Sequence, residues 1–165
     1  MSDEADLRHG GDPLIGHRFP AAEVRTLAGE TLRLPDALAG APSMLLVAYR
    51  RSSQPDVDLW RQALVDELPA LRVLEVPTIP SPVWRPVSSW IDAGMRGGVP
   101  QELWSRVATA YDDGDVIRRF VGDAGRPVAH VVLLGGDGVA HWFAADGFSR
   151  ERAAELVDAV SRLTS

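Results

Sequence analysis

Apolar positions along this chain fall into three patterns, and each predicts a different element. Alternation comes first. Glu23-Val24-Arg25-Thr26-Leu27 and Thr31-Leu32-Arg33-Leu34 alternate apolar and polar positions across the short connector Ala28-Gly29-Glu30. This predicts a β-hairpin. Continuous runs come next. Ser43–Tyr49 is a short continuous apolar run, the mark of a strand buried on both faces, and Leu71–Val76 reads as a second buried strand. Between them Val57, Trp60, Leu64 and Leu68 recur at helical spacing. Pro55 stands in the first turn, and Asp56 and Asp58 lie beside the positive end of the helix dipole. A strand, helix and strand in that order predict parallel pairing with a right-handed crossover.

Later segments follow the same logic. Pro35–Leu38 reads as one helical turn closed by Gly40, and Val107–Tyr111 as a third strand. Asp112 or Asp113 is placed to cap a short helix with Val116, Ile117 and Phe120 inward. Val128–Leu134, Gly135–Gly138 and Val139–Phe143 form a second hairpin. Ser149 caps a final helix whose inner face carries Ala153, Leu156, Val157, Val160 and Leu163.

Two stretches break the periodicity. Residues 1–12 are polar and Gly-bearing and are expected to be a disordered tail, leaving 13–165 as one domain. Residues 77–106 read as an insertion. Pro77, Pro80, Pro82 and Pro86 deny regular structure to its first part, and Ser89–Met95 and Gln101–Val107 can each form a short helix. Trp84, Trp90 and Trp104 lie here. They suit either an apolar partner surface or the internal packing of a long insertion.

Composition narrows the chemistry. The 165 residues include no Cys, no Lys and no Asn, and all 17 basic residues are Arg. Without Cys there is no disulfide, thiolate nucleophile or Cys-ligated cluster. Without Lys there is no Schiff base or Walker-type phosphate grip. The missing Lys and Asn, beside abundant Ala, Gly and Arg, fit a GC-rich genome. A net charge of −6 argues against nucleic-acid binding, which needs a basic face. Met1–Arg8 carries three acids and no apolar core, unlike a secretory signal. Met44–Tyr49 and Val128–Leu134 are far shorter than the roughly 20 residues of a membrane helix. A cytoplasmic protein without membrane insertion is the expectation.

The order of elements, parallel strands first and an antiparallel hairpin and helix last, matches a thioredoxin-like α/β arrangement with a central mixed sheet. Thr26–Leu38 resembles the opening hairpin of peroxiredoxins and of thiol-disulfide oxidoreductases of the cytochrome-maturation type. Met44–Pro55 is similar to their strand leading into the redox motif. Tyr111–Val116 and Val131–Gly138 resemble their later strand–helix and hairpin. Gln54–Trp60, Val99–Trp104 and Ala129–Trp142 resemble a cysteine-poor branch, the mitochondrial ATP-synthase assembly factors and their bacterial relatives. Against the redox motif, Ser52 falls near the attacking cysteine and Pro55 near the resolving one. Neither exchanges a disulfide, so thiol peroxidase and disulfide reductase activities are excluded. The family's cis-proline falls at Pro127 counted forward from Gly122, or at Ala129 counted back from Gly138. A cis bond at Pro127 is the expectation open to test.

In such sheets ligands sit beyond the carboxyl ends of the parallel strands. There the chain places Arg50, Arg51, Ser52 and Gln54, then Trp84 and Arg85, then Asp112, with Pro127 and His130 close by. Arg50 and Arg51 precede a helix start, where a small anion can bind. Alternatively they pair with Asp56, Asp58 or Asp112. Ser52 can be a nucleophile only with a base such as His130 in reach; otherwise Ser52 and Ser53 are helix caps. His130 and His141 share a face by parity and are either the start of a metal site or ordinary sheet histidines. Asp112, Asp113 and Asp115 lack a calcium-loop spacing and read as capping residues. The favoured expectation is a non-redox binding or assembly/chaperone-type protein with no catalytic residues, cofactor or metal and an unidentified protein partner. The alternative is a non-thiol enzyme or small-anion module at Arg50–Ser52.

Overall fold

The computed structural model describes residues 14–78, 101–111 and 113–164. The tail 1–12, the stretch Ser89–Met95, and Trp84, Arg85, Trp90 and Asp112 lie outside the described residues.

The strands are β1 (Ala22–Thr26), β2 (Thr31–Leu34), β3 (Ser43–Ala48), β4 (Arg72–Pro77), β5 (Ala108–Thr109), β6 (His130–Leu134) and β7 (Ala140–Ala144). The α-helices are α1 (Gln54–Glu67), α2 (Gly114–Val121) and α3 (Arg150–Thr164). One sheet runs β4-β3-β6-β7 and the other β2-β1-β5. Parallel bridges Glu75–Val107 and Thr78–Ala110 join them edge to edge. β3 and β4 pair in parallel around α1, while β6 and β7 run antiparallel to their neighbours.

Strand β3 shows why its sequence is apolar throughout. Met44 and Leu46 point to one face and pack with Val57, Trp60 and Leu64 of α1 and Leu156, Ala159 and Val160 of α3. Leu45 and Val47 point to the other, with Phe19, Val24, Leu34 and the α2 residues Ile117 and Val121. A two-residue period thus feeds two cores, one on each side of the sheet. Trp60 closes the first core with edge-on contacts to Trp142 at 6.0 Å and Phe148 at 5.2 Å.

Several expectations need correction. Of Val107–Tyr111 only Ala108–Thr109 is regular strand, because Val107 and Ala110 make isolated bridges and Tyr111 sits in a bend. Gln101–Arg106 is a 3-10 helix. In α2 the fully buried side chains are Ile117 and Val121, with Val116 only half-buried. In α3 Ala159 rather than Val157 is buried beside Leu156 and Val160. Among the described residues the cis peptide is Leu34–Pro35, and the Arg126–Pro127 bond is trans. At the β6–β7 turn, Gly138 has φ +81° and an added Cβ there would lie 2.9 Å from Pro35 Cγ. The second hairpin therefore seats directly on the connection between β2 and β3.

Candidate functional site

The carboxyl end of β3 leads into a 3-10 turn, Arg51–Ser53, and then into α1. This is where the sequence placed most of its candidates. The structure brings several together, but with different partners.

Arg50 is not an open anion site. Its guanidinium grips Asp123 through two parallel hydrogen bonds, Nη1 to Oδ1 and Nη2 to Oδ2, each 3.0 Å. A planar fork against a carboxylate is the strongest geometry an arginine makes. Asp123 also accepts Arg118 Nη2 at 2.7 Å and the Gly125 amide at 2.8 Å. The Arg50 hydrogen bonds hold the Asp123 carboxyl well below its ordinary range, against a smaller opposing effect of burial. Neither Asp56 nor Asp58 is its partner, and Asp112 lies outside the described residues. Asp123 lies 73 residues away in the chain, and no local pattern announces it. Its flanking glycines, Gly122 and Gly125, both with positive φ, are the one available sign of a shaped loop.

Ser52 is exposed and has no hydrogen-bond partner among the described residues. Ser53 occupies the N-cap position of α1, yet its conformation is helical and its side chain makes no cap bond. Its buried hydroxyl has no hydrogen-bond partner among the described residues. Pro55 stands two residues on and has no amide hydrogen to offer Ser53, and the Gln54 amide that Ser52 could cap already reaches the Arg51 carbonyl. Arg51 is exposed, and Gln54 spends its amide group on Asp58 at 2.8 Å.

His130 lies at the start of β6, opposite Val47 near the end of β3, and is 1% exposed. Its Nε2 accepts the Ala124 amide at 3.0 Å, so the ring is the neutral Nδ1–H tautomer. Nδ1 has no hydrogen-bond partner among the described residues. Tyr49 packs edge-on against the ring at 4.9 Å, and Phe143 lies at 6.4 Å. Burial is the main cause lowering the imidazole pKa, opposed chiefly by Asp123. The Tyr49 hydroxyl donates to the Gly122 carbonyl at 2.7 Å, and burial pushes its pKa far upward. A buried His130 whose Nε2 is occupied does not serve an exposed Ser52 as general base.

The histidine pair fails as well. A register shift between Leu133 and Leu134 disturbs the parity on which it rested. His141 is exposed beside the turn, while His130 is buried at the far end of the hairpin. Among the described residues no cluster of His, Asp and Glu is arranged to hold a metal. Asp113 stands at the N-cap of α2 without a cap bond, and its carboxylate accepts the Glu23 amide at 2.7 Å. Pro127 is exposed and sits at the centre of a tight turn closed by the Val128 amide and the Arg126 carbonyl.

Two features were missed from sequence. Asp56, read as a helix-dipole residue, accepts two backbone amides from distant segments, Ala129 at 2.7 Å and Phe148 at 2.8 Å. Glu75 is buried in β4 and paired with Arg61 of α1 at 2.6 Å. The Arg61–Glu75 pair lines a groove of about 750 Å³ beside Leu64, Val65, Val73 and Leu103. A glutamate inside an apolar strand was the available signal.

The architecture is a thioredoxin-like fold, with no cysteine at the end of β3. A thioredoxin from Streptococcus pneumoniae, described as an exposed lipoprotein, superposes with a TM-score of 0.59 over 84% of this chain and 98% of its own, at 12% identity. A member of the Sco family of cytochrome c oxidase assembly proteins gives 0.59 over 90% and 94%, also at 12% identity. A thiol peroxidase from Chromobacterium violaceum gives 0.55 over 87% and 86%, at 16% identity. At these identities the likeness is one of fold. No family model matches the chain, and no curated protein matches it. The finer resemblance to ATP-synthase assembly factors draws no support from these neighbours. No helix among the described residues is long and apolar enough to cross a membrane.

Proposed function

We propose that this chain is a non-redox thioredoxin-like protein that acts by binding, as an assembly or chaperone-type factor for a protein partner. One observation carries the reading. Apart from Arg51, Ser52 and Ser53, the polar groups around the end of β3, where the fold's thiol relatives do their chemistry, are already engaged. Arg50 holds Asp123, Gln54 holds Asp58, Asp56 holds two backbone amides and His130 accepts the Ala124 amide. Groups so engaged serve as scaffold, and function then falls to the surface. Exposed apolar side chains on α1, Leu59 at 53% and Val65 at 49%, supply part of that surface. Trp84, Arg85 and Trp90 are the further contact residues the sequence offers.

The test is cross-linking in cells of origin followed by purification of the tagged full-length chain. A stoichiometric partner is expected, lost from Trp84→Ala or Val65→Asp variants that retain the wild-type melting temperature. Hydrolysis of an ester by the purified protein that disappears in Ser52→Ala would overturn the reading in favour of an enzyme.

A further inference from the structure

The loop that follows α2, residues 122–127, lies beside the end of β3 because β6 starts there and runs antiparallel to β3. Besides a 3.4 Å contact from Arg50 to the Arg126 carbonyl, it is tied down at four points. Tyr49 holds the Gly122 carbonyl, Arg50 and Arg118 hold Asp123, Asp123 holds the Gly125 amide, and His130 holds the Ala124 amide. Three of these ties use groups whose charge state is constant near neutrality. Asp123 is held anionic by its arginines, Tyr49 is held neutral by burial, and the arginines stay charged. The fourth tie differs in kind. An imidazole accepts a hydrogen bond at Nε2 only while it is neutral, since both nitrogens of the charged ring are donors.

We propose that His130 is a proton-operated latch: neutral, its Nε2 holds the Ala124 amide and the middle of the loop; protonated, it releases both. The switch follows from geometry alone, because the proton must be added at the nitrogen that accepts the Ala124 amide. The protonated ring would also set a donor at Nε2 against the Ala124 N–H, a costly arrangement in a buried site.

The charged and titratable neighbours set the working range. Tyr49 and Arg50 come from β3, Asp123 from the loop and Asp56 from α1. Arg118 of α2 stands over the Tyr49 ring at 5.5 Å. β7 presents Phe143, which carries no charge. Asp123, the Val128 carbonyl and Asp56 favour the proton, whereas burial and Arg50 oppose it, with burial the largest influence. Release therefore occurs below the ordinary histidine value of 6.5, on the acid side of neutrality. This device does not depend on what the protein binds.

The experiment is heteronuclear NMR of the uniformly 15N-labelled full-length protein, titrated from pH 7.5 downward. At pH 7.5 His130 is expected as the Nδ1–H tautomer with Nε2 unprotonated. As His130 protonates, protection of the Ala124 amide, corrected for its intrinsic exchange rate, falls by about tenfold, the worth of one lost hydrogen bond. The Gly125 amide, held by Asp123, stays protected through the same range and serves as internal control. In His130→Gln, whose amide oxygen can still accept but does not titrate, Ala124 protection is expected to be independent of pH. If that variant does not fold, the wild-type titration still decides. The proposal is overturned by an Nε2–H tautomer at pH 7.5, or by Ala124 remaining protected after His130 protonates. It is equally overturned by Ala124 and Gly125 releasing together, or by His130 staying neutral until the protein unfolds.

Discussion

Removing the Asp56 carboxylate tests whether one side chain can hold three elements in place. Its two oxygens accept the Phe148 amide at 2.8 Å and the Ala129 amide at 2.7 Å, across 92 and 73 residues of chain. They tie the first turn of α1 to the start of β6 and to the segment between β7 and α3. Hydrogen bonds to a charged acceptor contribute about 1.5–3 kcal/mol each. Asp56 is itself half-exposed, which favours the lower end. In Asp56→Ala, the amide of Ala129, a residue 1% exposed, is left without an acceptor. The expected loss is about 3 kcal/mol. At about 2–4 °C per kcal/mol for a domain of this size, the melting temperature falls by roughly 6–12 °C. Asp56→Asn keeps one acceptor oxygen and should fall between variant and wild type. Asp58 provides the control, since its contacts with Gln54 and Arg61 are at the surface. Asp58→Ala is expected to cost less than about 1 kcal/mol. Urea and thermal unfolding at pH 7 measure all three. Equal stabilities for Asp56→Ala and Asp58→Ala would refute the argument that Asp56 clamps the fold.

Asp123→Asn, which loses the charged fork with Arg50, is expected to lower stability by about 2 kcal/mol at pH 7. Because the folded state depresses the Asp123 pKa, that contribution is present above the ordinary carboxylate value of 3.8 and lost as pH falls beneath it. The wild-type and variant unfolding curves should converge below about pH 4; a gap that stays constant down to pH 3 would contradict this. His130 acts in a different window. Its folded pKa is depressed, so its contribution is complete above about pH 6.5 and declines as the medium becomes more acidic. For the buried pair, Arg61→Met strands the Glu75 carboxylate and should cost about 3 kcal/mol, whereas Glu75→Val should stay within about 1 kcal/mol of wild type. The reverse order in a denaturant series would show that Arg61, 35% exposed, is the partner that needs the pair. Gly138→Ala meets both a positive φ and Pro35, while Gly29→Ala meets a positive φ in open space. The first should lose at least about 1 kcal/mol more than the second by thermal melting, and equal losses would exclude the close approach as the cause.

What the sequence determined by itself was whatever repeats over short distances. The alternation in β1 and β2, the unbroken run of β3 and the spacing of Val57, Trp60 and Leu64 all express backbone geometry, which has a period of two or 3.6 residues. Element order then followed, and with it the thioredoxin-like arrangement. The missing cysteines were equally legible, since an absent atom needs no structure to exclude its chemistry. The tertiary structure alone decided which charged group meets which. Arg50 chose Asp123 over the nearer Asp56 and Asp58, and Asp56 chose two backbone amides over any arginine. Those choices depend on where β6 and its preceding loop come to rest beside β3, and a carboxylate has no sequence period to advertise its partner. The hairpin histidines show the same limit, because one register shift placed His141 in solvent and left His130 buried. The Ser52–Ser53 turn shows it again: the Gln54 amide that Ser52 could cap reaches the Arg51 carbonyl instead, and Ser53 takes a helical conformation without a cap bond.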